Sequence, residues 1–293
     1  MTRVLPVQVR AFAKINLTLR VLGRRPDGYH ELRTVFQTLT LHDLLLFEAT
    51  TGTLRIRCDH SECPTDRRNL VWKAAELLWR VGGRRGVPRG LQVTIRKCIP
   101  MQAGLGGGSS DAAAALRALA PLWAPRLGAD DLSRLAASLG ADVPFFLLGG
   151  TALGLERGDR LFPLLPFTRS WVVLAQPDCR VSTADAYRWL DAEPVRRRRT
   201  SGGLYGEGRN DLEGPVAARY PAITRVVRAL KDAGACGAAM SGSGSVCFGL
   251  FPSRRAAVDA ARALRGPRCA TLVTRTQTAD EYAEGAAPVA TRR

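Results

Sequence analysis

The chain has 293 residues, 46% of them hydrophobic, enough to bury a substantial core in one large or two ordinary domains, and we read it as two. A formal charge of +17 raises nucleic acid as a partner, but 39 of the 43 basic residues are arginines spread from Arg3 to Arg293, a compositional habit rather than a binding stripe. No apolar run is long enough for a membrane helix, the first eight residues lack the apolar core of a signal peptide, and the scattered cysteines suggest no zinc site, which together point to the cytoplasm.

From Arg10 to Val21 apolar and polar residues alternate, which predicts a half-buried strand with Lys14, Asn16 and Thr18 in a row on its polar face. Lys14 is one of only four lysines, a compact point charge in a chain that otherwise uses guanidinium. An ordinary exposed strand lysine is the alternative reading. Arg24 to Gly28 forms a Pro-Asp-Gly turn that delivers Tyr29 and His30 to a loop tip, suited to a flat heterocycle by stacking and edge hydrogen bonds. Packing of Tyr29 against its own hairpin competes with that reading. Thr34 to Glu48 and Thr53 to Cys58 read as strands, Asn69 to Val81 as an amphipathic helix, and Gly90 to Ile99 as a further strand.

Residues 100 to 115 run from a glycine loop through two serines into an alanine-rich helix. Gly104, Gly106, Gly107 and Gly108 allow close backbone approach and positive φ, and Ser109, Ser110 or Asp111 is the expected N-cap of a helix over Ala112 to Leu119. Unpaired amides and the positive end of the helix dipole would then face an anion. The loop is not of the Walker type, because no lysine follows Gly108, and the third glycine of a dinucleotide fingerprint would fall on Ser109. A flexible Gly/Ser linker is the bland alternative.

Asp130 to Leu139 reads as a helix stopped by Gly140, and Asp142 follows as a lone carboxylate before an apolar, aromatic segment. Burial there would make it a base or a liability unless paired; exposure at a turn is equally open. Trp171 to Gln176 reads as a strand, Ser182 to Leu190 as a helix, and the Arg196 to Arg199 run as part of a solvated loop. Pro215 to Gly234 reads as one long helix, and Gly237 to Ser245 as a second Gly/Ser loop. A strand over Val246 to Phe251, a helix over Pro252 to Leu264, a strand over Ala270 to Thr276 and a frayed tail from Ala279 complete an α+β chain.

Five ordered motifs, Ala11 to Leu17 with Arg25 to Leu32, Pro100 to Ala113, Ala141 to Phe146, Asn210 to Glu213 and Met240 to Gly244, resemble the galactokinase, homoserine kinase, mevalonate kinase and phosphomevalonate kinase superfamily. Within it, the Asp27-Gly28-Tyr29-His30 element is similar to the family that phosphorylates a cytidyl diphosphate-linked methylerythritol in the non-mevalonate isoprenoid pathway. The resemblance runs from about residue 10 to about residue 276.

That resemblance implies a two-domain small-molecule kinase fold: a ribosomal-protein-like, ATP-binding domain over 1–165, a ferredoxin-like domain over 166–278, and a tail over 279–293. It implies ATP and Mg²⁺ as cofactors and a small-molecule substrate, with neither nucleic acid nor membrane as a partner. By the same resemblance Asp142 is the catalytic base, with Lys14 beside it. The loop of Pro100, Met101, Gln102, Ala103, Gly104, Leu105, Gly106, Gly107, Gly108, Ser109 and Ser110 wraps the triphosphate, and Asn69 and Lys97 contact the adenosine side. Tyr29 and His30 bind the cytosine with Tyr187 on its other face, Asn16 and Thr183 contact substrate, and the second Gly/Ser loop closes the cleft with Gly242. Competing readings are another kinase of the superfamily, such as one acting on homoserine, and an RNA-binding protein, which would show a steep salt dependence.

Overall fold

The computed structural model describes residues 6–193 and 209–291; the Arg196 to Arg199 run lies outside them. Two long strands open the chain, β1 (Val7–Arg24) and β2 (His30–Thr53), joined by the turn that carries Tyr29. They pair antiparallel, with register shifts at Phe12/Lys14, Asn16/Thr18 and Val21/Gly23. These irregularities release backbone groups to neighbouring segments. The Lys14 N–H donates to the Leu105 carbonyl at 3.0 Å, and the Leu19 N–H to the Arg209 carbonyl at 2.8 Å.

After β3 (Arg55–Cys58), helix α1 (Leu70–Val81) buries Val71, Ala74, Ala75 and Leu78, and β4 (Arg89–Arg96) pairs with both β2 and β3. Helix α2 (Gly107–Trp123) is alanine-rich and almost wholly buried, as its bland sequence allows: small side chains let it lie close against its neighbours. Helix α3 (Ala129–Leu139) ends at Gly140 as expected, and the short α4 (Phe145–Leu148) leads into the hairpin β5 (Thr151–Glu156) and β6 (Arg160–Pro163). One core gathers α1, α2, Phe145 and Phe146 against Phe36, Leu45 and Phe47 of β2.

The second half builds a separate sheet. In chain order it comprises β7 (Trp171–Pro177), α5 (Thr183–Asp191), α6 (Glu213–Arg219), α7 (Ala222–Asp232), β8 (Gly237–Met240), β9 (Cys247–Phe251), α8 (Arg254–Leu264) and β10 (Cys269–Arg275). Its antiparallel order β10-β7-β9-β8, with helical crossovers, is the ferredoxin-like arrangement. One face meets α7 and α8 through Val173, Ala175 and Ala238. The opposite face brings Val172, Leu174 and Phe248 against Ala13, Ile15 and Leu17 of β1. The second sheet thus covers the row expected to be apolar, and Lys14 and Asn16 on the polar row are buried as well, against the glycine loop and Asp142, so β1 is buried on both sides rather than half-exposed.

Three elements depart from expectation. The helix predicted over Pro215 to Gly234 is two, α6 and α7, broken at Tyr220 and Pro221, since a residue before proline is pushed out of the α region. Part of the second Gly/Ser loop, Gly237 to Met240, is strand β8. Of the tail expected over 279–293, the described part carries regular structure: α9 (Ala279–Ala286) starts on a capping box between Thr278 and Glu281, and β11 (Val289–Ala290) pairs with β1. Tyr282 anchors α9, with its ring fully buried and its hydroxyl donating to the Phe146 carbonyl at 2.5 Å.

Candidate active site

A cleft of about 1080 Å³ opens where the glycine loop, β1 and the 241–244 turn converge, large enough for a nucleotide and a second substrate. Gly106 ends the loop with φ 71° and ψ 19°, and it, not Ser109, Ser110 or Asp111, is the N-cap of α2. No side chain caps that helix, so the N–H groups of its first turn are available to an anion, at the positive end of the dipole. Gln102 at φ 52° and Gly104 at φ 74° bend the loop into its cradle. A Cβ on Gly104 would lie 2.0 Å from the Ser241 carbonyl oxygen, so the two Gly/Ser loops touch backbone to backbone. The Ser241 hydroxyl seals that contact by donating to the Gly104 carbonyl at 2.9 Å.

Beneath the loop, Lys14 is only 3% exposed, which excludes the ordinary surface lysine. Its Nζ lies 3.2 Å from the Asp142 carboxylate and donates to Asn16 Oδ1 at 2.6 Å. Asn16 in turn donates to Thr34 Oγ1 at 2.7 Å, and Thr34 to the Thr18 carbonyl at 2.7 Å, so each group in this polar chain is fixed by the next. The Asp142 side chain retains 33% exposure. An anchored cation therefore lies under a carboxylate that a substrate can reach. A Cβ on Gly106 would approach Lys14 Cγ to 3.2 Å and the Phe146 ring to 2.7 Å, so the bareness of the loop also makes room for the lysine.

At the other end, the turn before β2 presents Tyr29 at 55% exposure, with Gly28 at φ 86° as a Pro-Asp-Gly turn requires. The Arg157 guanidinium sits 5.0 Å from the Tyr29 ring centroid and is paired with Asp159. His30 and Tyr187 stack at 4.6 Å and 25°, which closes the space between those two rings and leaves Tyr29 as the exposed aromatic. The His30 ring is further tied to Asp191 at 2.8 Å. Burial, with the Asp142 charge as a lesser cause, pushes the Tyr187 hydroxyl well above its ordinary range, so it stays protonated. Thr183 Oγ1 meets Ser243 Oγ at 2.9 Å, linking α5 to the second loop.

Every residue expected at the site lines this cleft except Ser110, which is buried inside α2. Two of the others serve the scaffold as well. Asn69 caps α1, accepting from the Val71 N–H at 2.9 Å and donating to the Pro64 carbonyl at 2.6 Å. Lys97 directs its ammonium to Asp43 and Asp111 rather than leaving it free for a ligand. Arg157 and Asp43 carried no local signal that singled them out, and the bracing Asn210, which donates to the Met240 and Gly242 carbonyls at 2.8 and 2.7 Å, stood in one of the motifs of the resemblance but was given no role.

Comparison with known proteins accords with this geometry. The GHMP kinases N terminal domain matches residues 69–150 and the GHMP kinases C terminal family matches residues 197–267. A 4-diphosphocytidyl-2-C-methyl-D-erythritol kinase of Pelotomaculum thermopropionicum is 42% identical over 91% of this chain and 96% of its own length. The chain belongs to the 4-diphosphocytidyl-2-C-methyl-D-erythritol kinase family. The Deinococcus radiodurans member is 43% identical over 88% of both chains. A crystal structure of a 4-(cytidine 5'-diphospho)-2C-methyl-D-erythritol kinase aligns at TM-score 0.76 and 37% identity, covering 92% of this chain and 98% of that one. A homoserine kinase from Cytophaga hutchinsonii shares the fold at TM-score 0.71 but only 19% identity, covering 95% and 96%. As a member of this family the protein is an ATP-dependent small-molecule kinase of two-part α+β architecture.

Proposed function

We propose that the protein transfers the γ-phosphoryl group of ATP to the C2 hydroxyl of 4-diphosphocytidyl-2-C-methyl-D-erythritol, supplying the non-mevalonate isoprenoid pathway. The observation that carries the reading is the Lys14–Asp142 pair at 3.2 Å, in the same cleft as an uncapped helix N-terminus and an exposed aromatic turn. Phosphoryl transfer needs mainly positioning and charge neutralisation, and these parts are sufficient for both.

The first turn of α2 and the loop from Pro100 to Ser109 hold the triphosphate through backbone N–H groups, where Mg²⁺ bound to the nucleotide would neutralise phosphate charge. Asp142 takes the proton from the attacking hydroxyl. Lys14 orients that carboxylate and adds fixed positive charge beside the transferring group; Asn16 keeps the ammonium aimed. Tyr29 offers a face for the cytosine and His30 an edge donor or acceptor. Gly242 and Thr183 bring the second loop and α5 to the substrate side.

Replacing Asp142 by Asn keeps the shape and removes the base. Turnover is expected to fall by about 10³-fold or more, while ATP and the cytidyl substrate still bind within a few-fold of wild type. Near-normal turnover in Asp142→Asn would rule out the assigned base.

A further inference from the structure

The phosphate loop is tied at both ends to one buried cluster. It leaves β4 after Arg96 and enters α2 at Gly107. At the entry, Asp43 of β2, fully buried, accepts the N–H groups of Cys98 at 2.6 Å and Ile99 at 2.8 Å on one oxygen, and its other oxygen takes the Lys97 ammonium. At the exit, the same ammonium reaches Asp111, in the second turn of α2, at 2.9 Å. Between these anchors the chain from Pro100 to Gly106 has no regular structure.

We propose that Asp43, Lys97 and Asp111 act together as positioning residues for ATP, fixing the spacing between the two ends of the phosphate loop. The inference rests on the reading that this loop encloses the triphosphate. Ordering a free segment costs conformational entropy at every residue fixed, so a loop held in shape beforehand leaves more of the interaction energy for the nucleotide. The geometry favours this over a direct ligand role for Lys97. Its ammonium lies behind the loop, 3.3 Å from where a Cβ on Gly107 would stand, and two carboxylates already neutralise it.

The cluster carries two carboxylates for one ammonium, and Asp111 Oδ1 has no hydrogen-bond partner among the described residues. Burial pushes the Asp111 carboxyl up to about 7; Lys97 opposes that and Asp43 reinforces it. The Lys97 ammonium, which burial alone would lower, is pushed up by Asp111 and Asp43. Cys63, from the segment before α1, is the further titratable group facing them, and burial, with Cys58 beside it, pushes its thiol up to about 12. Near neutrality, Asp111 is thus the member whose charge changes. The sign follows: below pH 7 Asp111 becomes neutral, its ion pair with Lys97 weakens, and ATP binding weakens with it.

The test measures ATP and cytidyl-substrate kinetics in Asp111→Ala, Asp111→Asn and Gly104→Ala. Asp111→Ala is expected to raise KM for ATP about tenfold, with the loss falling on that KM rather than on kcat or the KM of the cytidyl substrate. Asp111→Asn, which can still accept from Lys97, is expected to recover most of the loss. An unchanged KM for ATP in Asp111→Ala, or equal losses for both substrates, overturns the tie. Should Asp111→Ala not fold, the pH profile decides. Wild type should lose ATP affinity between pH 8 and pH 6 about threefold more than Asp111→Asn, which cancels the nucleotide's own titration, and parallel profiles overturn the proposal. Gly104→Ala separates the two levels: if it also leaves ATP binding intact, the loop reading itself fails, whereas a loss there without one in Asp111→Ala sinks only the tie.

Discussion

Lys14 holds a buried position that a lysine can fill and an arginine cannot. Its aliphatic stem passes Gly106, and its ammonium meets Asp142 and Asn16 in a space 3% open to solvent, with the Phe36 ring centroid 5.3 Å away. A planar guanidinium is wider and presents its donors in a fixed fork. Lys14→Arg is therefore expected to lower kcat by about 10²-fold or more despite keeping the charge, and steady-state kinetics at saturating substrates would reveal it. Tyr29 is the opposite case, a ring held out at 55% exposure with Arg157 near it. Stacking of a base is worth about 1–3 kcal/mol, so Tyr29→Ala should weaken the cytidyl substrate by about tenfold or more and ATP hardly at all. Equal losses for both ligands, read from the two KM values, would contradict the assignment. At this scale the legible residues were those that break the chain's own habits: a lysine among arginines, a lone aspartate before an apolar run, an aromatic after a tight turn. Asp43 and Asp111 were not assigned to this cluster, since neither sits at a turn or repeat that predicts a partner, and their meeting point depends on a contact between β2 and α2.

Elements were legible where local chemistry decides them. The Gly140 stop stands as read, and the helices read from Asn69 and from Ser182 do begin there, each on a side-chain cap at that residue, because such signals satisfy backbone groups within a few residues. Helix α2 begins earlier than its serines suggested because Gly106, in the left-handed region, lets the chain turn into the helix without a side-chain cap. Helix α9 was missed for a different reason: eight residues with one aromatic look marginal alone, and the capping box at Thr278 was too short a signal to outweigh the chain end. What fixes it is distant. Gly149 has no side chain, and the Tyr282 ring occupies the space, 1.9 Å from where a Cβ would stand, while Arg117 lies 5.2 Å from the ring centroid. Tyr282→Ala should cost about 3 kcal/mol or more, seen as a lower midpoint in denaturant unfolding with unchanged slope. A midpoint equal to wild type would mean that α9 is the dispensable tail its sequence resembled.

At the scale of the molecule, two sheets meet so that β1 is buried between their cores and carries the polar row into the cleft they share. Alternation along β1 was visible in sequence; what covers each face was not, because Val172, Leu174 and Phe248 lie over the apolar row while the glycine loop and Asp142 close over Lys14, all of them distant in the chain. The same packing explains why charge was a poor guide. An excess of 17 positive charges suggested nucleic acid, yet the buried cations Lys14 and Lys97 are paired with carboxylates inside the fold, and several arginines are held in surface ion pairs. Composition describes the surface, whereas the reaction depends on a few desolvated groups. No helix among the described residues is long and apolar enough to cross a membrane.

The identity of the phosphoryl acceptor is read by ADP release measured with the purified protein, ATP, Mg²⁺ and one acceptor at a time. Stoichiometric ADP and a product phosphorylated on the C2 hydroxyl are expected with 4-diphosphocytidyl-2-C-methyl-D-erythritol, and no ADP above background with homoserine or mevalonate. Turnover of homoserine or mevalonate with the cytidyl compound inert would contradict the proposed acceptor.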